Sequence, residues 1–225
     1  MLSPLNYGRK RHFDRLRTLR ILTMFSLNYS TVIDPLLWDV RLYVPKFSGM
    51  KAGDKVLDVC CGTGDQVFHY SQRGINAVGV DLNPDMIQLA ERNKMKLGLT
   101  NASFKIADAR DLPFQDSLFD HVSISLALHE IERTGRDKVV SEMRRVVRKD
   151  GALIFIDFQI PLPKNLYAYL AKVIEFMAGR RHHSRFRDFI EEGGLDRILK
   201  QNQLPEENRG YLKAGIITII KTRNV

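Results

Sequence analysis

The spacing of apolar residues changes period once along this chain, near residue 55. Before that point apolar side chains recur three or four residues apart. Phe13, Leu16, Leu19 and Leu22 stand among Arg9, Lys10, Arg11, Arg15, Arg17 and Arg20, which predicts amphipathic helix within residues 5–48. Asp34-Pro35 reads as a helix start leading into Leu36–Val44, because proline suits the first turn. Pro45 to Gly53 then reads as a loop.

From Lys55 onward short apolar runs alternate with helical patterns. Strands are expected at Val56–Cys60, Asn76–Asp81, Ser103–Ala107, Phe119–Ser125 and Ala152–Phe158. Helices are expected at Asp65–Arg73 (ended by Gly74), at Pro84–Leu97 (capped by Asn83, stopped by Gly98) and at Arg136–Arg148. Near the end, Phe186–Gln201 reads as one helix. Gln203–Arg209 reads as a short strand or turn, and Tyr211–Lys221 as a strand with no helix after it. Residues 161–184 form an insertion, with an amphipathic helix near Leu166–Met177.

Strands alternating with helices imply a parallel sheet covered on both faces. The expected fold is therefore α/β. It is a doubly wound, Rossmann-like, seven-stranded and mostly parallel sheet, with an antiparallel C-terminal strand and additional N-terminal helices. The expected organisation is a basic amphipathic segment over 1–48, serving as a lid or a membrane-surface element. A catalytic domain over 49–225 follows, with the 161–184 insertion over its cleft.

Composition narrows the function classes. With 225 residues, 44% hydrophobic and 27% charged, the chain is an ordinary globular sequence. Its longest apolar runs, such as Ala152–Ile156 and Ile216–Ile220, are too short for a bilayer span. The two cysteines, Cys60 and Cys61, are adjacent and offer neither a relaxed disulfide nor a zinc spacing, so no metal site is expected. These features and the lack of a cleavage site after Ile21–Leu27 point to a cytoplasmic protein. The net charge is +9, and residues 1–20 hold six basic residues against Asp14 alone. A second basic group comprises Arg180, Arg181, Arg185 and Arg187 beside His182 and His183. Such clusters suit anionic membranes, nucleic acid or anionic substrates, or simply form solvated helix faces. No recognisable nucleic-acid motif accompanies them, so nucleic acid is disfavoured; the expected partner is a small-molecule or lipid acceptor, with peripheral contact to an anionic membrane as a further reading.

The chemistry concentrates where strands end. In an open α/β sheet, ligands bind beyond the carboxyl ends of the strands. The first strand runs into Cys60-Cys61-Gly62-Thr63-Gly64-Asp65, where Gly62 and Gly64 allow close backbone approach ahead of a helix N-terminus. A dinucleotide fingerprint would need a third glycine where Val67 stands. Asp58 and Asp65 flank the turn, and carboxylates there repel a pyrophosphate but favour a ligand with a cationic amine, such as S-adenosylmethionine. Asp81, closing the second strand, is placed to accept ribose hydroxyls. Asp108, after the third, is placed to accept the adenine amine.

Val56–Asp65, Gly79–Met86, Ala107–Phe114 and Phe119–Val122 together resemble the successive motifs of class I S-adenosylmethionine-dependent methyltransferases. The nearest type is that of ubiquinone and menaquinone biosynthesis (methyltransferase 11-type). The resemblance covers about residues 50–160. It implies that Asp58 and Gly62–Gly64 hold the methionine part of the cofactor, within the turn Cys60, Cys61, Gly62, Thr63, Gly64. It further implies that Asp81 holds the ribose, that Leu82 and Met86 pack on the adenosine, and that Asp108 and Ala109 hold adenine. Ser125 is expected beside the sulfonium. In this family type the first glycine of the turn is usual where Cys60 stands here. No Asn-Pro-Pro-Tyr-like motif follows the fourth strand, which argues against methylation of a base amine or of glutamine.

Methyl transfer is an in-line displacement, so the protein mainly aligns the reactants, which can supply on the order of 7–11 kcal/mol. A general base helps only an acceptor that must lose a proton. His129 and Glu130, just after the fourth strand, are the candidate catalytic residues. His129 can equally cap a helix or line the cleft passively. Tyr29 is a candidate for closing over the cofactor, and His182 and His183, in the insertion over the cleft, either touch substrate head groups or are simply solvated. The expected acceptor is a small lipophilic molecule such as a quinone precursor. The alternatives are a phospholipid amine, RNA or protein, or a non-catalytic scaffold that only binds the cofactor.

Overall fold

The computed structural model describes residues 34–166, 168–169 and 180–225. The helices expected before residue 34, Tyr29 and most of the insertion helix lie outside the described residues. The described elements are α1 (Asp34–Ser48), β1 (Lys55–Val59), α2 (Asp65–Ser71), β2 (Asn76–Asp81), α3 (Pro84–Leu97), β3 (Ala102–Ile106) and β4 (Phe119–Ser125). After a 3-10 turn (Leu128–Glu130) come α4 (Arg133–Val146), β5 (Val147–Phe158), α5 (Arg180–Glu192), α6 (Gly194–Gln201), β6 (Glu206–Leu212) and β7 (Ile217–Arg223). Residues Val40–Val225 form one compact unit.

The strands make a single sheet in the order β3-β2-β1-β4-β5-β7-β6. Strands β1 to β5 pair in parallel, whereas β7 runs antiparallel to both β5 and β6. The chain winds outward from β1 to β3, then restarts beside β1 with β4. The β1–β4 boundary is thus the switch point where such sheets open a crevice at their carboxyl ends. Val56, Leu57, Val59, Val122, Ile124, Leu153 and Phe155 are all buried in the sheet, and Val139, Val140 and Met143 of α4 join the same core. Each such side chain contributes about 1.5–3 kcal/mol on leaving water. Covering on both faces explains why the central strands read as continuous apolar runs.

Helix α3 keeps the bounds its sequence signals predict. Asn83 Oδ1 accepts the Asp85 amide at 2.9 Å, and Gly98 closes the helix at φ +64°. Other boundaries differ, each for a physical reason. Helix α1 continues through Pro45 to Ser48 instead of yielding to a loop. Proline has no N–H for the carbonyl of Arg41, and Gln66 Nε2 donates to that carbonyl instead, at 3.3 Å. Cys60 leaves β1 for a left-handed conformation. Helix α4 begins at Arg133, three residues before the expected start, and gives way at Val147 to a longer β5. Residues 148–151 bulge between the Val147–Phe119 and Ala152–His121 pairs. The single helix expected over 186–201 is two, because Gly193 and Gly194 both take positive φ. A side chain at 194 would press within 2.6 Å of Ile160. The strand expected over 211–221 is cut by a turn at Lys213-Ala214-Gly215, so Tyr211 belongs to β6 and the pair forms the terminal hairpin.

Candidate active site

The turn after β1 sits at the switch point. Cys60, Gly62 and Gly64 adopt φ of +57°, +53° and +83°. The Cys61 amide donates to the Val80 carbonyl at 2.9 Å, and the Gly64 amide to that of Cys61 at 3.0 Å, which ties the turn to β2. The two glycines differ in their surroundings. A Cβ on Gly64 would stand 2.6 Å from Phe104 Cζ and 3.0 Å from Ala90, so packing excludes one. A Cβ on Gly62 would meet nothing within 4 Å, so its backbone borders open space. Thr63 is buried, and the thiols of Cys60 and Cys61 are half-buried and free. Burial first, then neighbouring carboxylates, pushes both thiols well above the usual range, which leaves them un-ionised and poor nucleophiles.

Asp81 faces this turn. Its Oδ2 accepts the Gly62 amide and its Oδ1 the Asn83 amide, both at 2.9 Å. Burial raises its pKa, the amides oppose that rise, and the charge of Glu130 adds to it. Asp58 lies deeper, within β1 rather than at its tip, and is 2% exposed. Ser123 Oγ donates to Asp58 Oδ1 at 2.7 Å, and the Tyr70 hydroxyl donates to Ser123 Oγ at 3.1 Å. Burial pushes Asp58 up to about 7, against the Ser123 hydrogen bond and the Arg41 charge, while Asp81 adds to the rise. Arg41 of α1, itself buried, pairs with Asp65 at the start of α2. Asp81 raises Asp58, and Glu130 raises Asp81, so the site holds neighbouring carboxylates that favour an arriving cation.

Asp108 sits one strand further out, two residues past β3. Arg110 grips both of its oxygens through Nε and Nη2, and Arg110 hydrogen bonding lowers the Asp108 pKa. The Arg110 backbone amide also donates to Oδ1 at 2.9 Å, so a further donor at Asp108 would have to compete with Arg110. Leu82 is 62% exposed, while Met86, Ala109 and Ser125 are half-buried.

Beyond β4 the backbone turns sharply at Leu126 (φ +50°), and the 3-10 turn presents His129 and Glu130. His129 is 2% exposed, and its Nδ1 lies 2.6 Å from Asp157 Oδ1. Glu130 is about half exposed and accepts His182 Nε2 of α5 at 3.0 Å. Burial would raise the Glu130 pKa, but His182, His129 and Arg185 outweigh it and lower it. The Glu130 charge is felt at both Cys60 and Asp81. The charges of Asp58, Asp81, Asp108 and Glu130 all act on Cys60 of the turn, and His129 joins this set through Glu130. Sequence reading missed Arg41, Ser123, Tyr70 and Asp157. Only Asp157 left a signal, as the one acid within the apolar run Ala152–Phe158. Among the described residues no group of three or more His, Cys, Asp or Glu could hold a metal ion, and no helix is long and apolar enough to cross a membrane.

Comparison with known proteins agrees with this geometry. A family model described as a methyltransferase domain matches residues 56–151. The ubiquinone/menaquinone biosynthesis C-methyltransferase UbiE of Psychromonas ingrahamii is 34% identical over 134 residues, covering 57% of this chain and 51% of that protein. UbiE of Citrifermentans bemidjiense is 31% identical over 147 residues, covering 62% of each. The chain therefore spans between half and two thirds of the length of these curated relatives. A solved structure of a SAM-dependent methyltransferase from Aquifex aeolicus superposes with a TM-score of 0.62 at 19% identity, over 82% of this chain and 89% of that one. Residues 56–151 thus match a methyltransferase domain, and the chain shares its fold with the solved SAM-dependent methyltransferase.

Proposed function

We propose that this protein transfers the methyl group of S-adenosylmethionine to a small lipophilic acceptor, such as a quinone precursor. The observation that carries the cofactor assignment is the open face of Gly62 next to a carboxylate cluster. Asp81 is already bonded to the turn, and Asp58 is held protonation-ready behind it. That set fits a ligand with a cationic ammonium and sulfonium and a ribose diol. Gly62 to Gly64, with Cys60, Cys61 and Asp58, would border the methionine part and Asp81 the ribose. Leu82 and Met86 would flank the adenosine, Asp108 and Ala109 the adenine, and Ser125 the sulfonium. When bound, the cofactor supplies an electrophilic methyl carbon. The protein orients the acceptor toward it, excludes water, and removes a proton through His129 and Glu130.

The acceptor class is supported by the curated relatives, which are named as quinone-biosynthesis C-methyltransferases. The basic N-terminal segment would bring the enzyme to a membrane surface, where such acceptors reside. Titration calorimetry with S-adenosylmethionine tests the cofactor. We expect binding by the wild type and at least tenfold weaker binding by Asp81→Ala; undiminished binding by the variant would overturn the assignment. A donor-consumption assay offering a prenylated hydroquinone, aminophospholipid vesicles, RNA and protein in parallel tests the acceptor. Turnover confined to any of the last three would replace the quinone reading.

A further inference from the structure

We propose that Asp157 is a positioning residue that fixes His129 as the Nδ1–H tautomer, so that His129 Nε2 takes over the proton that Glu130 removes from the acceptor. Asp157 lies in β5, one residue before its end, and is fully buried. The Phe158 amide donates to its Oδ1 at 2.8 Å and the His129 amide to its Oδ2 at 3.2 Å. A carboxylate bonded by two obligate backbone donors acts as an acceptor on both oxygens. The His129 ring nitrogen 2.6 Å from Oδ1 is therefore the donor, and Nε2 carries the lone pair.

The ring has little freedom to turn. Phe158, Phe186, Phe189 and His182 meet it edge-on, with centroids 4.9–6.2 Å away. Its Nε2 points to Glu130, 3.9 Å from Oε1. The side chains form a gradient of access, with Glu130 45% exposed, His129 3% and Asp157 1%. That gradient assigns the contact with the acceptor to Glu130, whose charge also reaches the cofactor turn. Behind it His129 holds the proton, and Asp157 stabilises the imidazolium that results. His182 keeps the Glu130 carboxylate in place from α5.

The electron pair of the acceptor's C–H or O–H bond forms the new bond to the methyl carbon, and the S–C pair stays on sulfur. The proton goes to Glu130, then to His129 Nε2, and returns to water by way of Glu130. Such a pair suits an activated carbon or a phenolic or enolic oxygen, and is superfluous for an acceptor with no proton to lose.

The tautomer stands whatever the reaction, whereas the proton's route rests on methyl transfer. Long-range ¹H–¹⁵N spectra of the ¹⁵N-labelled full chain should show His129 with a protonated Nδ1 and an unprotonated Nε2. Asp157→Asn, nearly isosteric, should shift His129 toward Nε2–H. It should lower turnover of a prenylated hydroquinone by on the order of 10²–10⁴-fold while S-adenosylmethionine affinity stays within twofold. Glu130→Gln should lower turnover with the tautomer unchanged. An Nε2–H tautomer in the wild type overturns the proposal, even if Asp157→Asn does not fold or no hydroquinone is consumed. Turnover by Asp157→Asn within threefold of wild type overturns it as well.

Discussion

At the residue scale, burial of the Asp58 carboxyl works against the fold as pH rises. A carboxyl with a folded-state pKa of about 7 against an ordinary value of 3.8 keeps a proton that the unfolded chain releases. Between those pH values the native state binds more protons, so this group's contribution to stability falls as pH rises, and it levels off above 7. The full span corresponds to roughly 4 kcal/mol. Asp58→Asn removes the titration while keeping an acceptor for Ser123. Urea melts should therefore show the variant gaining about 2–3 kcal/mol on the wild type between pH 5 and pH 8. Parallel pH curves would show that burial does not hold Asp58 protonated. The same burial has a use in the proposed function, since a cofactor ammonium arriving beside Asp58 repays the ionisation that folding disfavours.

At the scale of elements, the turn between β1 and α2 separates two roles that look identical in sequence. Both glycines are left-handed, and a side chain in that conformation costs about 1–2 kcal/mol. Gly62 opens on free space, so Gly62→Ala should cost only that much stability and yet weaken S-adenosylmethionine binding at least tenfold. Gly64 abuts Phe104 and Ala90, so Gly64→Ala should cost about 2–4 kcal/mol through added overpacking. Thermal melts and calorimetry on the pair would separate the roles; equal stability losses would refute the distinction. The turn and the strands feeding it were legible because their causes are local: caps, glycines, and apolar runs covered on both faces. Helix α3 kept its bounds for that reason, with Asn83 and Gly98 at its ends. What was not legible depends on partners distant in the chain. Pro45 stays helical because Gln66 satisfies the carbonyl it leaves open, 25 residues away. The break at Gly193-Gly194 answers to Ile160, and Asp157 acquires meaning only when β5 is laid beside the turn carrying His129, 28 residues earlier.

At the scale of the whole molecule, charge and chemistry lie in different parts of the chain. The proposed cofactor site is lined by acids, whereas residues 1–20 carry +5 of the net +9. A basic segment of that composition would gain about 1 kcal/mol per lysine or arginine near an anionic bilayer surface. Six such residues interleaved with Phe13, Leu16 and Leu19 combine charge with apolar side chains in the sequence. The full chain should co-sediment with phosphatidylserine-containing vesicles at low salt and much less with neutral phosphatidylcholine vesicles. Raising ionic strength to 1 M shortens the Debye length to about 3 Å and should release most of the protein. Replacing Arg9, Lys10 and Arg11 together by glutamine should weaken binding by on the order of 10²-fold. Binding by that variant equal to wild type, or binding indifferent to salt, would remove the membrane from the proposed function. Methyl transfer to the same acceptor presented in detergent would then proceed unchanged, because the proposed catalytic groups Glu130 and His129 belong to the compact unit Val40–Val225 and not to this segment.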